Sequence, residues 1–164
     1  MNNKLRDIQL ACFNLGDNFF AVDIMRIKEI IPPQKISSLP WPSRFLEGVI
    51  NLRGAVLPVM DMRKRFGMVG IEEGRAVKLL LVTLSRQVLA LAVDDVLEVI
   101  TVPVEDIKPP PDVDAEIGAE CLLGVCLSGE RVFMILDIDS LLGPADYSEV
   151  SLARTCGQNN QTLN

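Results

Sequence analysis

The chain repeats itself. A shift of 76 residues lays Gly48 on Gly124, Val49 on Val125, Val56 on Val132, Asp61 on Asp137 and Gly67 on Gly143. The first copy, Phe45 to Gly67, reads FLEGVINLRGAVLPVMDMRKRFG; the second, Cys121 to Gly143, reads CLLGVCLSGERVFMILDIDSLLG. Each runs through an apolar strand, a polar turn with a glycine, a second apolar strand, an Asp, a short helical turn and a Gly. Upstream the order persists with one gap: Val22-Asp23 lies on Val93-Asp94 at an offset of 71, and Ile27-x-Glu29-Ile30 on Val96-x-Glu98-Val99 at 69. An ordered set of matches predicts two copies of one small β-rich unit, and that self-similarity constrains every other reading of the chain.

Within the unit, Val49 to Leu52 and Ala55 to Met60 flank Arg53-Gly54, which predicts a β-hairpin with Gly54 at positive φ. Asp61 is placed to cap the turn MRKRF, and Gly67 to close it. Pro58 has no N–H to give, which predicts an edge strand or a bulge there. Ahead of the first copy, Ile8 to Leu15 and Phe19 to Ile24 form a hairpin around Gly16-Asp17-Asn18. Ala76 to Leu84 is apolar enough to be buried on both faces, and Val88 to Val93 returns after Ser85-Arg86-Gln87. Met25 to Ile31 and Val96 to Val102 fit a strand or a helical turn equally. Glu72-Glu73-Gly74 separates the copies, and Pro109 to Glu120 reads as a loop. Tyr147 to Ala153 reads as a last helical piece, and Gly157 to Asn164 as a frayed polar tail. Short strands with Gly and Pro at the corners predict small barrels, two of them packed on each other.

Composition narrows the chemistry. Of 164 residues 49% are hydrophobic and only 5% aromatic, so the core is built from Val, Leu and Ile. No apolar run approaches the ~18 residues of a membrane span, and MNNKLRDIQL lacks the apolar stretch of a signal peptide; a cytoplasmic protein is expected. A net charge of −6 argues against nucleic acid. Arg63-Lys64-Arg65 reads as a solvated turn with cations at its C-terminal end. Cys12, Cys121, Cys126 and Cys156 form no C-x-x-C pair; Cys12 and Cys126 sit in apolar strands and read as buried thiols. With no histidine there is no zinc set of the usual kind and no Ser-His-Asp or Cys-His site. The carboxylate pairs Asp94-Asp95 and Asp137-x-Asp139 read as turn and cap residues rather than as acid–base machinery. Glu29, in the apolar stretch IKEII, and Arg53, in the hairpin turn, are two exposed charges, a pair across the unit, or a polar handle for a partner.

The string GVINLRGAVLPVMDMRKRFG closely resembles the signature of the CheW family of chemotaxis coupling proteins. The likeness continues through FNLGDNFFAVDIMRIKEII, LALAVDDVLEVI and LLGVCLSGERVFMILDIDSLL, from Ile8 to Leu142. The resemblance implies an all-β fold with a few short helices: two SH3-like five-stranded β-barrel subdomains, intertwined on a shared core as a single domain over 8–144. Residues 145–164 would add a helical piece and a polar tail. It implies no catalysis and no cofactor, but an adaptor that couples the cytoplasmic tip of chemoreceptors to the regulatory domain of the histidine kinase CheA. By resemblance the receptor tip docks in an apolar groove between the barrels, which points to Ile27, Ile30, Ile31 and Val99, with Glu29 and Arg53 as polar members. Kinase contacts, and self-association, would use the barrel ends; the resemblance assigns no individual residues there. Glu47 stands where some members carry a base. A module of the same fold serving a non-motility pathway (twitching, second-messenger or developmental signalling) is the alternative reading.

Overall fold

The computed structural model describes residues 6–70, 72, 75–110 and 119–162. Ten strands follow one another: β1 (Asp7–Leu15), β2 (Asn18–Asp23), β3 (Ile27–Ile31), β4 (Leu46–Leu52), β5 (Ala55–Asp61), β6 (Lys78–Leu84), β7 (Gln87–Val93), β8 (Asp95–Pro103), β9 (Leu122–Ser128) and β10 (Arg131–Leu136). A short helix α1 (Met62–Arg65) follows β5, and a 3-10 turn at Ile138–Ser140 follows β10 at the matching place. The chain closes with helix α2 (Pro144–Thr162). The two ambiguous segments are both strands, the first entered through a 3-10 turn at Ile24–Arg26.

The strands form two five-stranded sheets, ordered β8-β1-β2-β10-β9 (sheet A) and β3-β6-β7-β5-β4 (sheet B). In terms of the repeat, each sheet takes its opening hairpin from one copy and its other three strands from the other. The hairpins join the foreign strands through antiparallel β1–β8 and β3–β6 ladders and parallel β2–β10 and β5–β7 contacts. The copies are thus exchanged, not laid side by side.

Neither sheet closes by a full ladder between its edge strands. Each is drawn round by one bridge: Ser37, past the end of β3, exchanges both backbone bonds with Val49 of β4 (2.8 and 2.9 Å), and Lys108, past β8, does the same with Val125 of β9 (2.9 Å each). These bridges explain a repeated glycine. A Cβ on Gly48 would lie 2.1 Å from the Ser37 carbonyl oxygen, and one on Gly124 2.6 Å from that of Lys108. Only glycine lets the strap approach so closely.

Strand alternation divides the apolar residues among three cores. Along β6, Leu79 and Leu81 face the interior of sheet B, while Leu80, Val82 and Leu84 face the layer between the sheets. Along β1, Leu10 and Cys12 enter the interior of sheet A, while Phe13 and Leu15 join that same layer. The strand expected to be buried on both faces is therefore buried on both. The shared layer also takes Met62 of α1, Ile138 and Leu141 of the matching turn, and Val150 and Ala153 of α2.

Polar groups pin the two corners where the chain passes from one sheet to the other. At the β7–β8 corner the Asp94 carboxylate receives Arg63 of α1, through Nε at 2.7 Å and through a second bond from Nη2, and the Gly16 amide at 2.7 Å. The two side chains are part-buried, 14% and 5% exposed. At the β2–β3 corner Arg26 donates to both oxygens of Asp139 (3.0 and 2.8 Å) and to the Thr83 carbonyl (3.3 Å). Asp61 and Asp137 cap the turns after β5 and β10, as read from the repeat.

Three local expectations need correction. The basic turn is not solvated: Arg65 is buried against the Leu141 carbonyl and Glu120, and Arg63 is part-buried on Asp94, with Lys64 the most exposed of the three. Pro58 is on neither an edge strand nor a bulge: β5 lies between β7 and β4, and the β4–β5 irregularity falls between Leu46 and Gly48. Pro58 stands opposite Val49, whose backbone is spent on Ser37, and the β5–β7 contact begins only at Val59. The missing N–H thus falls where no ladder calls for it. The tail read as frayed from Gly157 is helical through Thr162, because Gly157 packs directly on Val49 and Val56. The readings for 111–118, for Glu73-Gly74 and for 163–164 lie outside the described residues.

Two measurements check this picture. Cys12, Cys121 and Cys126 are buried and free; burial pushes the Cys12 thiol up to about 12 and that of Cys121 to about 11. A thiol reagent should reach half-buried Cys156 first and these three only after denaturant; fast native labelling of Cys12 would contradict the packing. Burial works against ionisation of Asp94, but the Arg63 bond, the Gly16 amide and the Arg63 and Arg75 charges outweigh it and hold its pKa below the ordinary value. A depressed pKa gives stability that is present above the unfolded value, about 3.9, and is lost as pH falls through the folded one. Asp94→Ala should cost about 1–3 kcal/mol at neutral pH by leaving part-buried Arg63 and the Gly16 amide without their acceptor, and should flatten the acid limb of the stability curve.

Candidate partner-binding surface

The surface is built on the edge strands β3 and β8. Both carry a register shift at matched places, between Ile27 and Glu29 on β3 and between Val96 and Val99 on β8. A bulge twists an edge strand and protects it from pairing with other chains. Here it also sets which residues share a face. Ile27 and Ile30 stand opposite Val82 and Leu80, and Val96 and Val99 opposite Phe13 and Ala11. Ile27 and Val96 pack against the shared core, and Ile30 and Val99 continue that apolar surface outwards, 44% and 51% exposed.

Glu29 and Arg53 do meet. Arg53 turns the β4–β5 hairpin at φ 51°, followed by Gly54 at φ 85°, the paired left-handed conformation that a two-residue hairpin of this hand requires. From that tip its guanidinium donates to both Glu29 oxygens, at 3.1 and 2.7 Å. The pair spans the open seam between β3 and β4, the two edges of sheet B. The bond to Arg53 draws the Glu29 pKa down, and the same bond raises that of Arg53. Arg53 stays largely in solvent, so the pair is a surface feature beside the apolar strip. The repeat does not reproduce it: Gly129 stands at the Arg53 place, and Glu98 makes no ion pair among the described residues.

One expected member presents no surface to a partner. Ile31 is 4% exposed and belongs to the interior of sheet B, because it stands opposite Leu79, whose side chain points inwards. Sequence reasoning missed Leu97, 37% exposed on β8 beside Val99. The signal was present, since Leu97 occupies the bulge place held by Lys28 in the first copy. Glu47, also at a bulge, pairs with Lys64 at 3.4 Å.

The carboxylates considered for catalysis are all engaged elsewhere. Asp94 binds Arg63, Asp95 accepts its neighbour's amide from Val96, Asp137 holds Ser140 and the Asp139 amide, and Asp139 binds Arg26. Among the described residues no group of three or more Cys, Asp or Glu is arranged to hold a metal ion, and no helix is long and apolar enough to cross a membrane.

Comparison with known proteins decides the lineage. The family model described as a CheW-like domain matches residues 9–145. The chain belongs to the CheW-like family. It is 31% identical over 147 residues to the chemotaxis protein CheW of Treponema pallidum, with 87% of this chain and 86% of that protein covered. It is 30% identical over 145 residues to protein FrzA of Myxococcus xanthus, covering 87% and 90%. Among solved structures, the scaffolding protein TtCheW of Thermoanaerobacter tengcongensis superposes with a TM-score of 0.76 at 28% identity, over 87% of this chain and 92% of that one. The family match spans both copies of the repeat, so the exchanged sheets and the strip beside Glu29–Arg53 lie inside it.

Because the Glu29–Arg53 pair is exposed, its net contribution to stability is small. Arg53→Ala, Glu29→Ala and the double variant should melt together with the parent. A clear loss in either single variant, with non-additivity in the double, would show instead that the seam depends on the pair.

Proposed function

We propose that the chain is a non-catalytic adaptor that couples the cytoplasmic tips of chemoreceptors to the regulatory domain of the histidine kinase CheA. The observation that carries this reading is that Ile30 and Val99, half-exposed at matched places on the edge strands β3 and β8, lie outward of Ile27 and Val96 on the shared core, with the Glu29–Arg53 pair beside Ile30. An apolar strip with a polar marker beside it suits the end of a helical hairpin, which offers apolar side chains and a few charges. The receptor-facing set is then Ile27, Ile30, Val99, Glu29 and Arg53, with Ile31 supporting β3 from behind. The protein acts in the cytoplasm, recruited to membrane receptor arrays, and the kinase meets the barrel ends. That a structural relative, TtCheW, is described as a scaffolding protein supports a role without chemistry.

That a relative not named as a chemotaxis protein, FrzA, matches at a comparable identity motivates a second reading, in which the same module serves a chemosensory pathway other than swimming. The identity of the kinase and receptors pulled down with the chain from its native cell separates the two.

The test is a reconstitution from receptor-bearing membranes, the kinase and this chain, read by co-sedimentation and kinase activation. Ile30→Asp, Val99→Asp and Arg53→Ala should each weaken receptor-dependent recruitment by about tenfold or more, as expected for central interface residues, while the fold is kept. Recruitment at the parent level by all three would overturn the assignment.

A further inference from the structure

The repeat has two outer hairpin faces, and α2 covers only one. On sheet B the helix lies across β4–β5 so closely that a Cβ on Gly157 would sit 2.6 Å from Val56 Cγ1 and 3.2 Å from Val49 Cγ2. Beneath it Val49 and Val56 are 9% and 4% exposed. Sheet A has the same two residue types at the same register places. Val125 stands opposite Met134 as Val49 stands opposite Pro58, and Val132 opposite Leu127 as Val56 opposite Asn51. Yet Val132 is 55% exposed and Leu127 67%. Val125, Leu127 and Val132 line a shallow groove of about 470 Å³ with Asp106 and Lys108 at its rim, and among the described residues nothing lies over it.

We propose that the outer face of β9–β10 is a second helix seat, and that it takes an amphipathic α-helix of a partner protein with Gly or Ala over Val125 and Val132. The sister face shows what fits. The α2 residues that seat it are Val150, Ala153 and Gly157, spaced three and four apart on one helical face. They are small where the helix crosses the valines, which lets its backbone approach. The chain's own helix is committed to sheet B, where Trp41 donates to Glu149 (3.0 Å), Gln87 to Ser151 (3.4 Å) and Arg154 to the Val88 carbonyl (2.9 Å). On sheet A, Leu127 replaces Asn51 and widens the apolar floor, so a partner helix could carry one more apolar residue than α2 does. The inference needs neither receptor nor kinase and stands apart from the adaptor reading.

The full-length chain, methyl-labelled, is titrated with a synthetic peptide of the sequence 144–162, stapled on its outward face because an isolated helix of this length is marginal in water. Saturable shifts are expected at Val125, Leu127 and Val132. Binding should weaken tenfold or more with Val132→Asp in the protein, and equally with leucine at the Gly157 place of the peptide (Gly157→Leu). The distant Leu91 methyls report that the variant is folded. Absence of saturation up to about 1 mM peptide, or shifts confined to Val49 and Val56 as the peptide displaces α2, would overturn the proposal. So would indifference to Gly157→Leu, the mark of mere apolar adhesion, or concentration-dependent shifts at Val132 without peptide, which would make a second copy the occupant.

Discussion

The Arg63–Asp94 ion pair sits where β7 delivers the chain from sheet B to sheet A, and the exchange of hairpins depends on that corner staying in place. Asp94 gathers Arg63 from α1 and the amide of Gly16 from the β1–β2 turn, so one carboxylate ties three elements together. Burying such a pair is costly unless its remaining bonding capacity is used, and here the backbone amide uses it. The opposite corner is built from the same elements with the charges reversed. Arg26 lies on the corner and Asp139 on the turn after β10, with the Thr83 carbonyl in the place of the third partner. That pair is 34% and 67% exposed and holds its corner far more loosely.

Around these corners the packing follows from alternation alone. A strand with apolar residues on both faces serves two cores, so the layer between the sheets is filled by the reverse sides of the strands that line each interior. Arg65, 7% exposed, donates to the Leu141 carbonyl at 2.9 Å and reaches Glu120, joining positions exactly one repeat apart across this layer. A repeat whose equivalent places touch one another is the mark of approximate twofold symmetry.

Much of this was legible in the sequence, and the failures are local. The strands, the hairpin turn at Arg53-Gly54, the Asp caps and the two-copy plan all follow from patterns spanning a few residues. Exchange does not, because a strand's pattern says which faces it buries and not which neighbour it pairs with. The family resemblance counted Ile31 with Ile27 and Ile30, but the bulge after Ile27 turns Ile31 inwards. Gly157 looked like the start of a frayed tail, although its missing side chain is what lets α2 rest on two valines. Of the candidate site, the pairing of Glu29 with Arg53 was one of three open readings, and the outward continuation of Ile30 and Val99 needed the registers to be seen.

The exchange sets the order in which the protein can be made. During synthesis β1 and β2 emerge ahead of the other eight strands, yet their sheet partners β8, β9 and β10 follow only after every strand of sheet B. Sheet B can assemble once β7 has appeared, whereas the opening hairpin must wait, its apolar faces uncovered, for most of the chain. Contacts so distant in sequence are slow to form and leave partly folded chains prone to association. Of the ten strands, the first two are enclosed only when the last three have joined them.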